Sequence, residues 1–155
     1  ALARLEQSTP KFTLITQNID NLHRVAGSKN LIELHGNIWR MKCVGCRKKF
    51  PVETIPETIP PSCPSCTLNL RPDVVWFGEM LDPKDTAAAE TACVAEVFLV
   101  VGTSGEVWPA ASYAQQASMR GAFVLEINTE PSALTGVADA SLFGKAGSVL
   151  SKLIP

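Results

Sequence analysis

The sequence predicts an α/β protein: a parallel, Rossmann-like sheet covered by helices, with a small metal-stapled subdomain inserted into it. Three observations carry this. After residue 70, short apolar strands such as Val97–Val101 and Ala122–Ile127 alternate with helical stretches, and runs so continuous in Val, Ile and Leu suit strands buried on both faces. Polar segments follow the strand ends, where open α/β sheets keep their ligands. Four of the five cysteines form two Cys-x2-Cys pairs, Cys43/Cys46 and Cys63/Cys66, separated by 16 residues.

Ala1 to Gln7 carries Leu2 and Leu5 on one helical face and is broken by Ser8-Thr9-Pro10. Phe12–Thr16 is β-rich and reads as a strand. Asn18 to Ala26 is loop and short helix, closed by Gly27. Leu31–Leu34 is a short apolar segment running into His35-Gly36. At Trp39 the composition shifts, and Met41 to Leu70 holds the paired cysteines, several prolines and a basic cluster, with no room for a core of its own. Beyond it, Asp82-Pro83 opens a helix, with Asp as N-cap and Pro at the first helical position. That helix continues over Ala87–Ala95 and through Cys93, a small core residue. Val97–Val101 is a strand ending at Gly102-Thr103-Ser104-Gly105. Pro109–Arg120 is a helix stopped by Gly121. Ala122–Ile127 is a strand ending at Asn128, Ser141–Phe143 a short strand, and Ala146–Leu153 a last helix. The domain reading is therefore residues 1–38 and 71–155 as a partial Rossmann-like domain, with 39–70 as the metal-binding subdomain.

The 155 residues are 46% hydrophobic and 19% charged, which describes a globular chain rather than a disordered one. With 14 Lys+Arg against 15 Asp+Glu the net charge is -1, so no specific nucleic-acid partner is expected. The longest strongly apolar run, Val97–Val101, is too short to span a bilayer. An odd cysteine count without a secretory signal argues against a disulfide framework and for a reducing, cytoplasmic location.

Four thiolates on two Cys-x2-Cys turns complete a tetrahedral Zn²⁺ shell and leave no position for water, so the predicted zinc is structural. The competing reading is unbound cysteines or a redox pair. His35 ends an apolar segment close to the polar cluster Thr16–Asp20 and suits a general base near neutral pH; the alternative is a structural histidine. Gly102–Gly105 suits a phosphate or sugar contact, through main-chain amides and hydroxyls. Asn128 and Glu130 either hold ribose hydroxyls or cap the Glu130-Pro131 turn. Val74–Glu79 is either a buried strand or a strand edge that pairs with an extended peptide.

Several segments, in order, resemble one family. They are Thr16–His23 with Ala26-Gly27, Glu33-Leu34-His35-Gly36, the two cysteine pairs, Leu70–Glu79, Gly102–Ala111 and Asn128–Pro131. Together they resemble the sirtuins, NAD⁺-dependent protein-lysine deacylases, most closely the bacterial deacetylase/desuccinylase branch. The resemblance implies His35 as the general base. It implies Gln17, Asn18, Ile19 and Asp20 at the nicotinamide and its ribose. It places Gly102, Thr103, Ser104, Asn128, Thr129 and Glu130 on the adenosine side, with Ala146 beside the adenine. It lays an acyl-lysine peptide along Val75, Trp76, Phe77, Gly78 and Glu79. Cys43, Cys46, Cys63 and Cys66 match the family's structural zinc module. The implied reaction consumes NAD⁺ and an acyl-lysine and yields lysine, nicotinamide and O-acyl-ADP-ribose, with His35 removing a proton from a ribose hydroxyl. The family's opening Gly-Ala-Gly-x-Ser loop and Pro-x-Phe-Arg segment do not occur in this sequence, so a truncated form is expected. Phe12–Thr16 and Val97–Val101 should then have a bare flank or pair differently. The alternative reading is a non-catalytic, zinc-containing module that binds a peptide or protein. A DNA-binding zinc ribbon, resting on the basic cluster from Lys42 to Lys49, is a weaker third.

Overall fold

A computed structural model describes residues 1–154. α1 (Leu2–Ser8) stops ahead of Pro10, as its sequence requires. β1 (Leu14–Thr16) and β2 (Leu31–Glu33) pair in parallel, Leu14 opposite Leu31, and α2 (Leu22–Val25) lies on the connection between them.

β3 (Gly36–Cys43), β4 (Lys49–Pro51) and β5 (Leu70–Val74) form an antiparallel sheet in the order β4-β3-β5. The expectation that this region lacks a core is corrected here. Cys43, Cys63 and Leu70 are buried together, with Met41, Phe50 and Cys66 packed on them. The β3–β4 register makes this possible by setting Met41 opposite Phe50.

α3 (Pro83–Ala92) starts as predicted, with the Asp82 side chain accepting from the Lys84 amide at 3.0 Å. It ends sooner than predicted. Cys93 is its C-cap rather than a mid-helix residue, fully buried with its thiol 3.2 Å from the Ala89 carbonyl. Burial pushes that thiol's pKa up. β6 (Val97–Val101), α4 (Ala110–Met119), β7 (Phe123–Asn128), β8 (Ala140–Phe143) and α5 (Ala146–Leu153) follow the predicted order, and β6-β7-β8 is a parallel sheet.

The parallel strands form two separate sheets, with the bare flanks expected for Phe12–Thr16 and Val97–Val101. Among the described residues β1 pairs only with β2, and β6 only with β7, so each keeps one flank without a strand partner. The halves share one core nonetheless. Ile32 and Leu34 from the first half pack with Ala89, Cys93, Tyr113 and Ala117 of the α3–α4 layer, and Ile15 and Phe98 lie against the same cluster. Helix packing, not strand pairing, joins the two sheets. No helix is long and apolar enough to cross a membrane among the described residues.

Candidate active site and metal centre

His35 sits in the two-residue turn between β2 and β3. Gly36 makes that turn possible: its φ is +79°, and a Cβ there would run into the Asp73 carbonyl. The His35 Nδ1 lies 3.0 Å from the Gln17 carbonyl oxygen. A carbonyl only accepts, so Nδ1 carries the proton, and in the neutral ring the lone pair is on Nε2. The carbonyl of His35 in turn accepts from the Val75 amide at 2.9 Å. One half-buried residue therefore ties the Gln17 segment to the start of the Val75–Glu79 segment.

The predicted cofactor residues divide into those the structure gathers and those it does not. Gly102, Thr103, Ser104, Asn128 and Glu130 line one cavity of about 310 Å³. Thr103 is its junction: its carbonyl accepts from the Asn128 Nδ2 at 2.8 Å, and its hydroxyl meets the Gln17 Nε2 at 3.4 Å. All three strand-end clusters thus meet at Thr103. Asn18 and Asp20 are exposed, and the Asp20 Oδ1 accepts from the Leu22 amide at 2.9 Å, an Asx turn that leads into α2. The Ile19 carbonyl accepts from the Ile38 amide at 2.9 Å, pinning this segment to β3. Thr129 and Ala146 fall outside the cavity lining. The Gly144 amide, two residues before Ala146, donates to the Asn128 carbonyl at 2.7 Å. Sequence reasoning missed Glu106, Ser132 and Ala133, which also line the cavity.

Val75 to Glu79 is not the buried strand that was one reading of its composition. β5 ends at Val74, and an exposed turn follows with Phe77 fully solvated. Arg71 holds it in this form. Its guanidinium grips the Glu79 carboxylate at 2.5 and 3.0 Å, donates to the Val74 carbonyl at 2.9 Å and lies 3.9 Å from the centre of the Trp76 ring. The Arg71 hydrogen bonds, with one from the Trp76 amide, bring Glu79 down to about 2.

Behind His35, Glu33 is buried in a charge network. Its carboxylate accepts from Arg24 at 3.0 Å, Arg40 at 2.6 Å and the Asn37 amide at 2.7 Å. Arg40 and Lys49 also reach Asp73, at 3.1 and 2.9 Å. The network spans α2, β2, β3, β4 and β5, so it fixes the antiparallel sheet against β2, the strand that leads into the His35 turn. It also occupies Lys49 of the basic cluster. Burial opposes ionisation of Glu33, but hydrogen bonds from Arg24, Asn37 and Arg40 win and bring it down to about 2, from 4.5. This carboxylate's contribution is fully present above pH 4.5 and is lost as pH falls through 2. Glu33→Gln should cost about 3 kcal/mol of unfolding free energy at neutral pH, with the deficit shrinking below pH 4.5. Urea titrations of both proteins at pH 7 and pH 3 check this; equal stabilities at pH 7 refute it.

The four paired cysteines converge. Their sulfurs all lie within 4.8 Å of one another, with Cys43–Cys66 at 3.4 Å and Cys46–Cys63 at 3.7 Å. These gaps are far longer than a disulfide bond of about 2.05 Å, and all four are free thiols. Against its burial, the Gly45 and Cys46 amides and neighbouring thiols hold Cys43 down to about 6. The four thiols form a closed cluster able to hold one metal ion.

A model of the Sir2 family matches residues 1–109. The chain is 50% identical to "NAD-dependent protein deacylase 2" of Pyrobaculum aerophilum, over 99% of its own length and 62% of the relative's. It is 51% identical to the "NAD-dependent protein deacylase" of Pyrococcus furiosus, over 99% of its length and 64% of the relative's. Among solved structures, a Sir2 homologue–NAD complex superposes with a TM-score of 0.92 at 45% identity, covering 98% of this chain and 60% of that one. A Sir2–p53 peptide–NAD⁺ complex superposes at 0.86 with 33% identity, covering 97% and 67%. The chain therefore spans less than two thirds of the length of the curated relatives it matches. Its residues, its fold and these likenesses agree that the chain belongs to the Sir2 family.

Proposed function

We propose that the chain carries most of the catalytic machinery of an NAD⁺-dependent protein-lysine deacylase, acting on acetyl- or succinyl-lysine. One observation carries this reading. His35 has one ring nitrogen tied to Gln17 and the other free, and its own carbonyl holds Val75. What supports the reading is that His35 is linked through Gln17 to Thr103 of the proposed nucleotide cavity, and through its own carbonyl to an exposed apolar turn suited to an extended peptide.

The cavity at Thr103 fits the adenosine half of NAD⁺. It offers main-chain groups of Gly102–Ser104, the Ser104 hydroxyl and the Glu130 carboxylate, a donor and acceptor set suited to ribose and a diphosphate. Gln17, Asn18, Ile19 and Asp20 extend this surface toward the nicotinamide, with Thr129 and Ala146 at the adenine edge. NAD⁺, when bound, supplies a ribose carbon that the acyl oxygen attacks as nicotinamide leaves. The Nε2 of His35 accepts a proton from a ribose hydroxyl, and the Gln17 carbonyl keeps the ring in the tautomer that permits it. Val75 to Glu79 orients the acyl-lysine peptide, and Arg71 with Glu79 keeps the turn from collapsing on itself.

Zn²⁺ fits the thiol cluster. A tetrahedron with metal–sulfur bonds of about 2.3 Å has edges of about 3.8 Å, close to the Cys43–Cys66 and Cys46–Cys63 separations of 3.4 and 3.7 Å. Four sulfurs close the site, so the ion would staple residues 39–70 and take no part in the reaction.

The test is deacylation by this chain of matched acetyl-lysine and succinyl-lysine peptides, with and without NAD⁺, following nicotinamide release. Coupled turnover supports the reading, and the preferred peptide assigns the acyl class. A folded, metal-loaded chain that binds the peptide but neither binds nor consumes NAD⁺ is a peptide-binding module instead. The exposed Trp76 and Phe77 alone would serve that role.

A further inference from the structure

We infer that Glu126 is a positioning residue for the adenosine end of the nucleotide cavity, acting through Ser132 and Thr135; this rests on the nucleotide reading above. Glu126 is the one ionisable residue of β7, and it is fully buried. Among the described residues it forms no ion pair, so nothing cationic offsets its desolvation. Its partners are three hydroxyls. Ser132 Oγ donates at 2.5 Å, Thr135 Oγ1 at 2.7 Å and Ser141 Oγ at 2.9 Å.

The arrangement has a polarity. A carboxylate only accepts, so the Ser132 and Thr135 hydroxyl protons must point at Glu126. Their lone pairs are thereby turned to the main chain. Ser132 Oγ accepts from the Leu134 amide at 3.1 Å, and Thr135 Oγ1 accepts from the Ser132 amide at 2.8 Å. The carboxylate thus dictates a tight turn over 132–135.

That turn is one wall of the cavity. Pro131, Ser132 and Ala133 line it opposite Gly102, Thr103 and Ser104. Two contacts fix its distance from the facing loop. The Ala133 amide donates to the Ser104 carbonyl at 3.1 Å, and Leu134 packs on Gly105 so closely that a Cβ there would lie 2.6 Å from the Leu134 Cγ. Hydroxyls lower the Glu126 pKa against the effect of burial, so the acceptor-only state persists at neutral pH. A leucine at this place in an apolar strand would satisfy burial alone. Only an acceptor pair orders the turn.

The test measures ADP-ribose and acyl-lysine peptide affinities for the chain and for Glu126→Leu, Glu126→Gln and Ser132→Ala, with metal content and melting temperature recorded. Glu126→Leu should weaken ADP-ribose binding by about tenfold or more, Ser132→Ala by several-fold and Glu126→Gln by an intermediate amount, all with peptide affinity unchanged. Wild-type ADP-ribose affinity in a folded Glu126→Leu or Ser132→Ala variant overturns the inference. So does loss of peptide and nucleotide binding together in Glu126→Leu while Ser132→Ala is unaffected, since that marks general destabilisation. If the unmodified chain binds no ADP-ribose, the nucleotide reading itself fails and this inference with it.

Discussion

Replacing His35 by alanine should lower NAD⁺-dependent deacylation by about 10²–10⁴-fold, the range for loss of a positioned general base. The fold should survive, because the side chain makes one polar contact, to Gln17, and is only half-buried. The informative partner is His35→Asn. Its amide NH₂ can overlay Nδ1 and keep the bond to the Gln17 carbonyl, while the Nε2 position is deleted. If the ring acts only as a strut for Gln17, asparagine restores turnover. If it acts as the base, asparagine is as inactive as alanine, with NAD⁺ affinity and melting temperature close to wild type. Full turnover by either variant removes His35 from the chemistry.

The second large effect concerns the thiol cluster. Cys43→Ser should abolish metal retention and melt the sheet β4-β3-β5. Structural zinc in small modules supplies on the order of 10 kcal/mol of folding free energy, and the apolar core there is slight. Cys43, Cys63 and Leu70 are its buried members, and two of these three belong to the thiol cluster proposed to hold the metal. Metal analysis with hydrogen exchange over 36–74 checks the outcome. Exchange should rise in β3–β5 while β6–β8 stays protected. A soluble, metal-free Cys43→Ser protein with unchanged melting would contradict a structural role for the metal. The Glu33 network predicts how far the damage travels. Arg40, Lys49 and Asp73 belong to the sheet that melts, whereas Glu33 and Arg24 do not, so turnover should fall as well, through loosening of the His35 turn.

Much of this was readable in the residues. Strand-end logic identified Gln17, Thr103 and Asn128 as neighbours, because ligands of α/β sheets sit beyond the carboxyl ends of strands, and the three do meet. Cysteine spacing identified the thiol cluster. The strand pairing was not readable: hydrophobic runs mark β1 and β6 as strands but carry no label for their partners. The sheet around the cysteines was hidden by proline and charge, which break the alternation that Met41 and Phe50 follow. The turn after Val74 was ambiguous because its aromatic residues look like core. Arg71 and Glu79, eight residues apart, hold them outside, and a pair at that separation leaves no periodic trace. Glu126 did leave a trace, a lone carboxylate in an apolar strand, whose meaning depends on hydroxyls six to fifteen residues away.

The bond from the Val75 amide to the His35 carbonyl is made entirely by main chain. No side chain takes part in that bond, whereas the turn beyond it is shaped by the Arg71–Glu79 pair and the Trp76 ring. Under the proposed deacylase reading, substrate selection and reactivity are then separable: residues on the exposed face of the turn can be varied while the main-chain bond keeps the imidazole at its address. A library at the fully solvated Phe77 is the natural place to look for altered peptide preference, since variation there should trade one substrate for another before it erodes turnover.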